Sequence, residues 1–264
     1  MAKRLVSSRT SGALALAVAA SVSGCSWFSS DSNDTYKEQP VEVLYNRALD
    51  DLGAQDYKHA AKEFEEVDRQ HPYSVWATKA EIMAAFTYYQ SNKYDDAIIA
   101  LDHFIELHPG HKDIPYAYYL KGLCYYEQIS DVGRDQAITQ KALDALSDLA
   151  KRFPDTPYAR DARLKVELTI DHLAGKEMDI GRYYQKNQQY VGAINRYRTV
   201  IERFQTTTHV PEALHRLVEC YLALGVKSEA KETAAVLGHN FPGSDWYADS
   251  YFLMTGEDYR FDEK

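Results

Sequence analysis

The chain has 264 residues, of which 45% are hydrophobic, so it is long enough to bury a substantial core. Its formal net charge at pH 7 is -9. The first 24 residues carry Lys3, Arg4 and Arg9 but no acidic residue, so removing these three positive charges leaves a body near -12. A mature chain this acidic is not expected to bind phosphate backbones, which excludes nucleic acid as the expected partner.

The start of the chain has the pattern of a lipoprotein signal peptide. Basic residues precede an apolar run over residues 12–20 (GALALAVAA), which is too short to span a bilayer because a span needs about 20 apolar residues. Residues 22–24 (VSG) and Cys25 then resemble the lipobox of bacterial lipoproteins. We expect residues 1–24 to be removed and Cys25 to carry N-acyl and S-diacylglycerol chains, a stable anchor. The alternative is an ordinary signal peptide that happens to contain a cysteine.

The segment after the anchor predicts where the protein is held. Ser26 follows Cys25, whereas an Asp at this position resembles the inner-membrane retention signal of Gram-negative lipoproteins. We therefore expect attachment to the outer membrane, facing the periplasm. Residues 26–40 are small and polar without a helical period, so residues 25–40 are expected to form a lipidated, flexible tether.

The rest of the chain contains a repeat. Small residues occur at Ala48, Ala85 and Gly122, which are 37 residues apart each time, and again at Gly181 and Val218, also 37 apart. Such self-similarity at a fixed period is typical of solenoids. A second small residue and a closing proline recur at Ala60, Ala97, Ala142, Ala193 and Ala230 and at Pro72, Pro109, Pro154 and Pro242.

These positions resemble the tetratricopeptide repeat, in which small residues let two helices cross closely, a bulky residue packs beside them and a proline stops the second helix. Irregular spacings predict about eight extra residues between the helices of repeat three and about fourteen before the crossing of repeat four. The expected fold is all-α, a solenoid of five helix pairs. Repeats one to three occupy residues 41–155, repeats four and five residues 156–243, and a capping helix with a charged tail residues 244–264.

The repeat register also places the two remaining cysteines. Cys124 and Cys220 fall at equivalent positions of repeats three and five. Neighbouring helices pack about 8 to 10 Å apart, so positions two repeats apart exceed the limit of about 7 Å between the Cα atoms of a disulfide. We expect both to be free, buried packing residues.

One face of the first helices is the expected binding surface, because in this repeat type positions 5, 9 and 12 line a concave groove. These positions are apolar and aromatic in repeats one to three but polar and charged in repeats four and five, which predicts two binding regions. Tyrosine suits a surface that is wet when empty and well packed when occupied. The alternative is that these tyrosines only pack helix against helix. The candidate residues for a peptide groove are Tyr45, Ile82, Phe86, Tyr89, Tyr119, Leu123 and Tyr126.

Five such repeats behind a lipidated cysteine, with insertions in repeats three and four, resemble the BamD (ComL) family of lipoproteins of the outer-membrane β-barrel assembly (BAM) complex. The resemblance rests on residues 84–90 (AAFTYYQ), 118–123 (YYLKGL), 152–162 (RFPDTPYARDA), 178–184 (MDIGRYY) and 191–203 (VGAINRYRTVIER). It implies that the early repeats receive the C-terminal strand of unfolded outer-membrane barrel proteins. It also implies that the later repeats dock on the POTRA domains of BamA, beside other BAM subunits.

Four polar residues of repeat four are candidates for that docking: Arg182, Asn195, Arg196 and Arg203. Arginine pairs bidentately with a carboxylate and stays charged when partly buried. The alternative is a solvated basic face.

The sequence offers no motif for catalysis. It lacks GxSxG, HExxH and a phosphate-binding loop of the Walker kind. His103, His108 and His111 cluster near the end of repeat two without an i, i+4 pair or a cysteine that would make a ligand set. We expect no enzyme, no metal and no cofactor other than the lipid on Cys25. Two further hypotheses are a pilotin-like repeat lipoprotein for secretin or pilus assembly, whose pitch is usually about 34 residues, and a regulator of a cell-wall synthase.

Overall fold

Helices account for the regular structure throughout the part of the chain that a computed structural model describes, residues 38–257. Cys25, the signal peptide and most of the expected tether lie outside the described residues, as does the tail from residue 258. The eleven described helices are α1 (Val41–Gly53), α2 (Tyr57–Gln70), α3 (Val75–Gln90), α4 (Tyr94–Leu107), α5 (Ile114–Tyr126), α6 (Ala137–Arg152), α7 (Pro157–Lys186), α8 (Tyr190–Arg203), α9 (Val210–Ala223), α10 (Lys227–Asn240) and α11 (Asp245–Thr255).

The first ten helices form five pairs, each of which packs on the next. Every helix from α1 to α10 contacts its successor in the chain, and first helices also meet across repeats, as α5 and α7 do. The eleventh helix packs against both α9 and α10 and so covers the end of the last pair. The prediction of five helix pairs with a capping helix is confirmed.

The turns inside the pairs share one backbone conformation. Four pairs are joined by three residues, and the middle residue is left-handed: φ is 62° at Gln55, 59° at Asn92, 59° at Gln188 and 75° at Gly225. In the third pair, residues 127–136 replace this short turn. This longer segment, called the insertion below, is the one that the repeat spacing predicted.

Side-chain volumes at the helix crossings are complementary. The small residues of the repeat are buried in every pair, and a Cβ added to Gly122 would lie only 2.6 Å from Leu146 Cδ2. Because Leu146 and its counterparts are large, the facing position must be small. In the fifth pair the sizes are exchanged, since Val218 packs with Ala234 in one buried cluster. The departure of repeat five from the pattern therefore keeps the volume of the core.

Repeat four begins with a single helix of 30 residues. The Thr156 hydroxyl caps it by accepting a hydrogen bond from the Ala159 amide at 3.2 Å, and Pro157 occupies the first turn, where no amide donor is needed. Near its middle, Lys176 Nζ donates to the carbonyl oxygen of Gly133 in the insertion at 2.8 Å. The long helix thus holds the insertion of repeat three.

The folded stack begins before the first helix. Gln39 was predicted to lie in the tether. Its backbone amide donates a hydrogen bond to Gln70 Oε1 at 2.8 Å, and its backbone carbonyl oxygen accepts one from His71 Nε2 at 2.7 Å. Its own side-chain oxygen accepts from Arg47 at 3.2 Å. Gln39 is therefore part of repeat one.

Both cysteines within the described residues are free and buried, as the register predicted. Burial raises the pKa of Cys124 and of Cys220 to about 12, so both stay as thiols at neutral pH. They act as small apolar packing residues.

Candidate functional site

A group of four tyrosines spans the first helices of repeats two, three and four. The ring centroids of Tyr116 and Tyr158 are 5.5 Å apart, and those of Tyr119 and Tyr158 are 5.3 Å apart. Tyr89 packs against the same core of repeats two and three as Tyr116. Burial raises the pKa of Tyr116 to about 12, so its hydroxyl is neutral at physiological pH. These four residues are called the tyrosine cluster below.

Hydrogen bonds and charges hold the cluster in place. Tyr119 donates its hydroxyl to Asp161 Oδ2 at 2.6 Å, and Lys165 Nζ lies 3.0 Å from the same oxygen. Burial, followed by this bond to Asp161, raises the pKa of Tyr119. The Lys165 ammonium also lies 5.4 Å from the centre of the Tyr126 ring, within cation–π range. The Tyr119 ring is thus held by its hydroxyl, and all four rings of the cluster are half-buried.

Two of the predicted groove residues, Tyr89 and Tyr119, belong to this cluster, and a third, Tyr126, packs against the same core as Tyr119 and Tyr158. Phe86 and Leu123 are half-buried and pack against the core that repeats two and three share. Each therefore keeps part of its side chain accessible while the rest packs in the core.

The two other predicted groove residues sit differently. Tyr45 packs within the first two repeats, with its ring centroid 5.5 Å from that of Phe64 and 4.9 Å from that of Trp76. Ile82 is only 7% exposed and belongs to the core. Tyr45 therefore contacts other rings than those of the tyrosine cluster, and Ile82 offers little surface to a ligand.

Sequence reasoning missed two members of the cluster. Tyr116 lies three residues before Tyr119, so extending the helical period by one turn would have found it. Tyr158 belongs to the extra turns of α7, for which the regular repeat has no equivalent position. Only the packing of that extension against α5 reveals its place.

A network of charges covers the first helices of repeats four and five. Arg182 pairs bidentately with Glu212, at 3.0 Å and 2.7 Å, and Arg216 Nη1 donates to Glu219 Oε2 at 2.8 Å. Gln185 donates to the same Glu219 oxygen at 2.8 Å. Burial alone would raise the pKa of Glu219, but hydrogen bonds from His215, Gln185 and Arg216 lower it to about 2. Arg182 is thus already engaged inside the chain.

The other docking candidates lie on α8. Arg196 Nη1 is 3.1 Å from Glu177 Oε2, and its side chain is 41% exposed. Arg203 is exposed, with its guanidinium 5.7 Å from the Phe204 ring, and lies seven residues from Arg196, so both point to the same side of the helix. Asn195 is exposed beside them. Arg182 and Arg196 therefore pair with different carboxylates.

None of the described helices is both long and apolar enough to cross a bilayer. Within the same residues, no group of three or more His, Cys, Asp or Glu side chains is arranged to hold a metal ion.

Comparison with known proteins assigns the chain to a family. Residues 37–237 match the YfiO family model, described as an outer membrane lipoprotein. The outer membrane protein assembly factor BamD of Caulobacter vibrioides is 52% identical over 241 residues, covering 91% of this chain and 79% of that one. BamD of Rickettsia prowazekii is 47% identical over 224 residues, covering 85% and 88%. The TPR2AB domain of yeast Sti1 aligns with a TM-score of 0.42 at 13% identity, covering 81% and 83%. By its sequence relatives, the chain belongs to the BamD (YfiO) family of outer membrane protein assembly factors.

Proposed function

We propose that this chain is a lipid-anchored, non-catalytic adaptor of the BAM complex. It binds unfolded outer-membrane barrel proteins on the tyrosine-lined face of repeats two to four and docks on the POTRA domains of BamA through repeats four and five. The observation that carries the proposal is the division of the first-helix face into the tyrosine cluster and the charged network. Such a surface supports reversible binding of two different kinds of partner.

The tyrosine-lined face suits an extended client segment. A barrel strand alternates apolar and polar side chains, so one of its faces presents apolar or aromatic groups at every second residue. Half-buried tyrosine rings with bonded hydroxyls offer apolar faces without leaving a polar group unpaired. Tyr119, bonded to Asp161, is of this kind. Little side-chain entropy is lost when a client packs on Tyr119, because its ring is already held.

The docking side depends on arginines that can exchange partners. The pair between Arg196 and Glu177 is partly exposed and is therefore worth little to the stability of the free chain. A carboxylate of BamA can engage the same guanidinium at small cost and gain a charge-assisted hydrogen bond. The lipid on Cys25 and the residues that follow it would hold both surfaces beside the outer membrane.

A pair of binding assays tests the division. We expect Phe86→Ala with Tyr89→Ala to weaken binding of a barrel C-terminal peptide by tenfold or more, since buried aromatic anchors contribute about 1 to 2 kcal/mol each. The same variant should bind purified POTRA domains like the unchanged chain. Tyr73→Ala is the matched control, because Tyr73 is fully exposed on the turn between α2 and α3. Arg196→Ala should show the opposite result, with docking reduced and peptide binding kept.

Equal loss of both activities in the Phe86 and Tyr89 variant would indicate a folding defect and leave the division without support. In cells, depletion of the protein should reduce many integral barrel proteins together. Loss of pili with intact barrels would instead favour a pilotin-like lipoprotein. Affinity purification from membranes, with identification of the partners, distinguishes these outcomes directly.

A further inference from the structure

A cavity adjoins the tyrosine cluster where the insertion of repeat three meets α7. It has a volume of about 440 Å³ and is called the insertion cleft here. Tyr126, Ile129 and Leu168 supply its apolar walls, and Glu127 and Asp131 are its charged lining residues. The cleft depends on the insertion, because the three-residue turns of the other four described pairs are too short to form such an outer wall.

The charge of the cleft is negative and not neutralised by its own lining. Glu127 is exposed, and Asp131 uses one carboxylate oxygen to accept from the Gly133 amide at 2.7 Å. Two lysines of α7 flank this region, and both are engaged elsewhere. Lys165 is bound to Asp161 and lies over the Tyr126 ring, and Lys176 donates to the Gly133 carbonyl oxygen. A cationic group that enters the cleft would therefore meet two carboxylates without displacing an existing cation.

The walls of the cleft suit a long side chain that ends in a polar group. Leu168 is 60% exposed although it is a large aliphatic residue, and it faces the same cavity as Ile129. On the same wall, His172 Nε2 is buried without a hydrogen-bond partner among the described residues. Lysine and arginine side chains combine an apolar stem, which can cover the exposed aliphatic wall, with a polar head, which can hydrogen-bond to His172 Nε2.

The cleft and the cluster are parts of one surface. Tyr126 lines the cleft and packs against the same buried core as Tyr119 and Tyr158 of the cluster. Glu127 follows Tyr126 directly after the end of α5. A client residue on the tyrosine cluster thus lies next to the mouth of the cleft. Neighbouring residues of one extended segment can occupy both.

We propose that the insertion cleft binds a lysine or arginine side chain of the client segment whose aromatic residues rest on the tyrosine cluster. This selects segments with a basic residue beside an aromatic one and disfavours segments with an acidic residue there. The selection rests on the proposed peptide-binding function. Repulsion by Glu127 and Asp131 acts against acidic segments as strongly as attraction acts for basic ones.

Three peptides test the selection against the full chain in detergent. They share one pattern of alternating aromatic and polar residues and differ at one polar position, which is Lys, Gln or Glu. In fluorescence anisotropy at low salt, we expect the Lys peptide to bind about two- to fivefold more tightly than the Gln peptide, and the Glu peptide to bind more weakly by a similar factor. The differences should shrink at about 0.5 M salt, because partly exposed charges are screened.

Variants of the cleft assign the effect to its carboxylates. Glu127→Gln with Asp131→Asn should remove the preference while keeping affinity for the Gln peptide, since the new side-chain carbonyl at position 131 would still accept from the Gly133 amide. The matched control is Asp50→Asn with Glu106→Gln, which removes the same charge from exposed positions on α1 and α4. This control should keep the preference.

Each outcome decides one hypothesis. If no peptide binds, the proposed function itself fails. If all three peptides bind equally, peptide binding stands and the charge selection is overturned. A preference that survives in the cleft variant, or that is lost equally in the control, places its origin in the net charge of the chain and overturns the role of the cleft.

Discussion

Replacing Gly181 with alanine tests how tightly the helix crossing of repeat four is packed. A Cβ at this position would lie 2.8 Å from Tyr197 Cδ1 and 2.9 Å from Cζ, well inside van der Waals contact. The ring cannot move aside easily, because Tyr197 is fully buried and its hydroxyl donates to Gln185 Oε1 at 2.8 Å. We therefore expect Gly181→Ala to destabilise the fold.

The expected change in unfolding free energy is the difference between two effects. Overpacking of a rigid core costs about 1 to 3 kcal/mol, and the clash with a whole ring places Gly181 at the upper end. Alanine recovers about 1 kcal/mol through its higher helix propensity. The net loss in unfolding free energy is about 2 kcal/mol, or a fall in Tm of about 4 to 8 °C for a chain of this size. Circular dichroism during thermal and urea unfolding measures it.

The control is Gly53→Ala at the last residue of α1, where nothing lies within 4 Å of an added Cβ. This variant should be as stable as the unchanged chain or slightly more stable. A double-mutant cycle with Tyr197→Leu should show coupling of at least about 1 kcal/mol, since the smaller side chain leaves room for the methyl group. Full stability of Gly181→Ala, or additive effects in the cycle, would refute the packing argument.

Two further predictions concern the turns and the charged network. Gln188→Gly should stabilise the chain and Gly225→Ala should destabilise it, each by about 1 kcal/mol in urea unfolding, because both positions are left-handed. The pKa of Glu219 is lowered from its ordinary value of 4.5 to about 2, so its contribution of up to about 3 kcal/mol is complete above about pH 5 and is lost as the pH falls to 2. Glu219→Gln should flatten the pH dependence of the unfolding free energy over that range, and an unchanged slope would contradict the role of Glu219.

The solenoid was predictable because its signals are local and repeated. Crossing residues, closing prolines and the lengths of both insertions follow from spacing alone, and the helices begin and end where these marks place them. Side-chain exposure was predicted less well at position 5 of the repeat, which is Ile82 in repeat two, Tyr119 in repeat three and His215 in repeat five. This position lies three residues, almost one turn, before the buried crossing residue. Ile82 and His215 are accordingly 7% and 4% exposed, whereas Tyr119 remains half-exposed. Sequence spacing alone does not show whether a residue at this position is buried or exposed.

Contacts between distant residues could not be read from the sequence. The bond from Tyr119 to Asp161 joins residues 42 positions apart, and that from Arg182 to Glu212 joins residues 30 apart. Both depend on how α7 is rotated against its neighbours, which is set by the packing of the whole stack. The sequence therefore identified Arg182 as a charged surface residue but not its carboxylate partner.

The insertion of repeat three and the extra turns of α7, which are the two departures from a regular repeat, both line the insertion cleft. Leu168 of these turns and Ile129 of the insertion line the cleft together, and Tyr158 of the same turns belongs to the tyrosine cluster. Without the extension, Tyr158 and Asp161 would be missing, and without the insertion the cleft would lack its outer wall. A regular solenoid needs neither segment for stability, since four pairs fold with a three-residue turn. The proposed function gives both segments a physical reason, because each of them supplies part of the proposed binding surface.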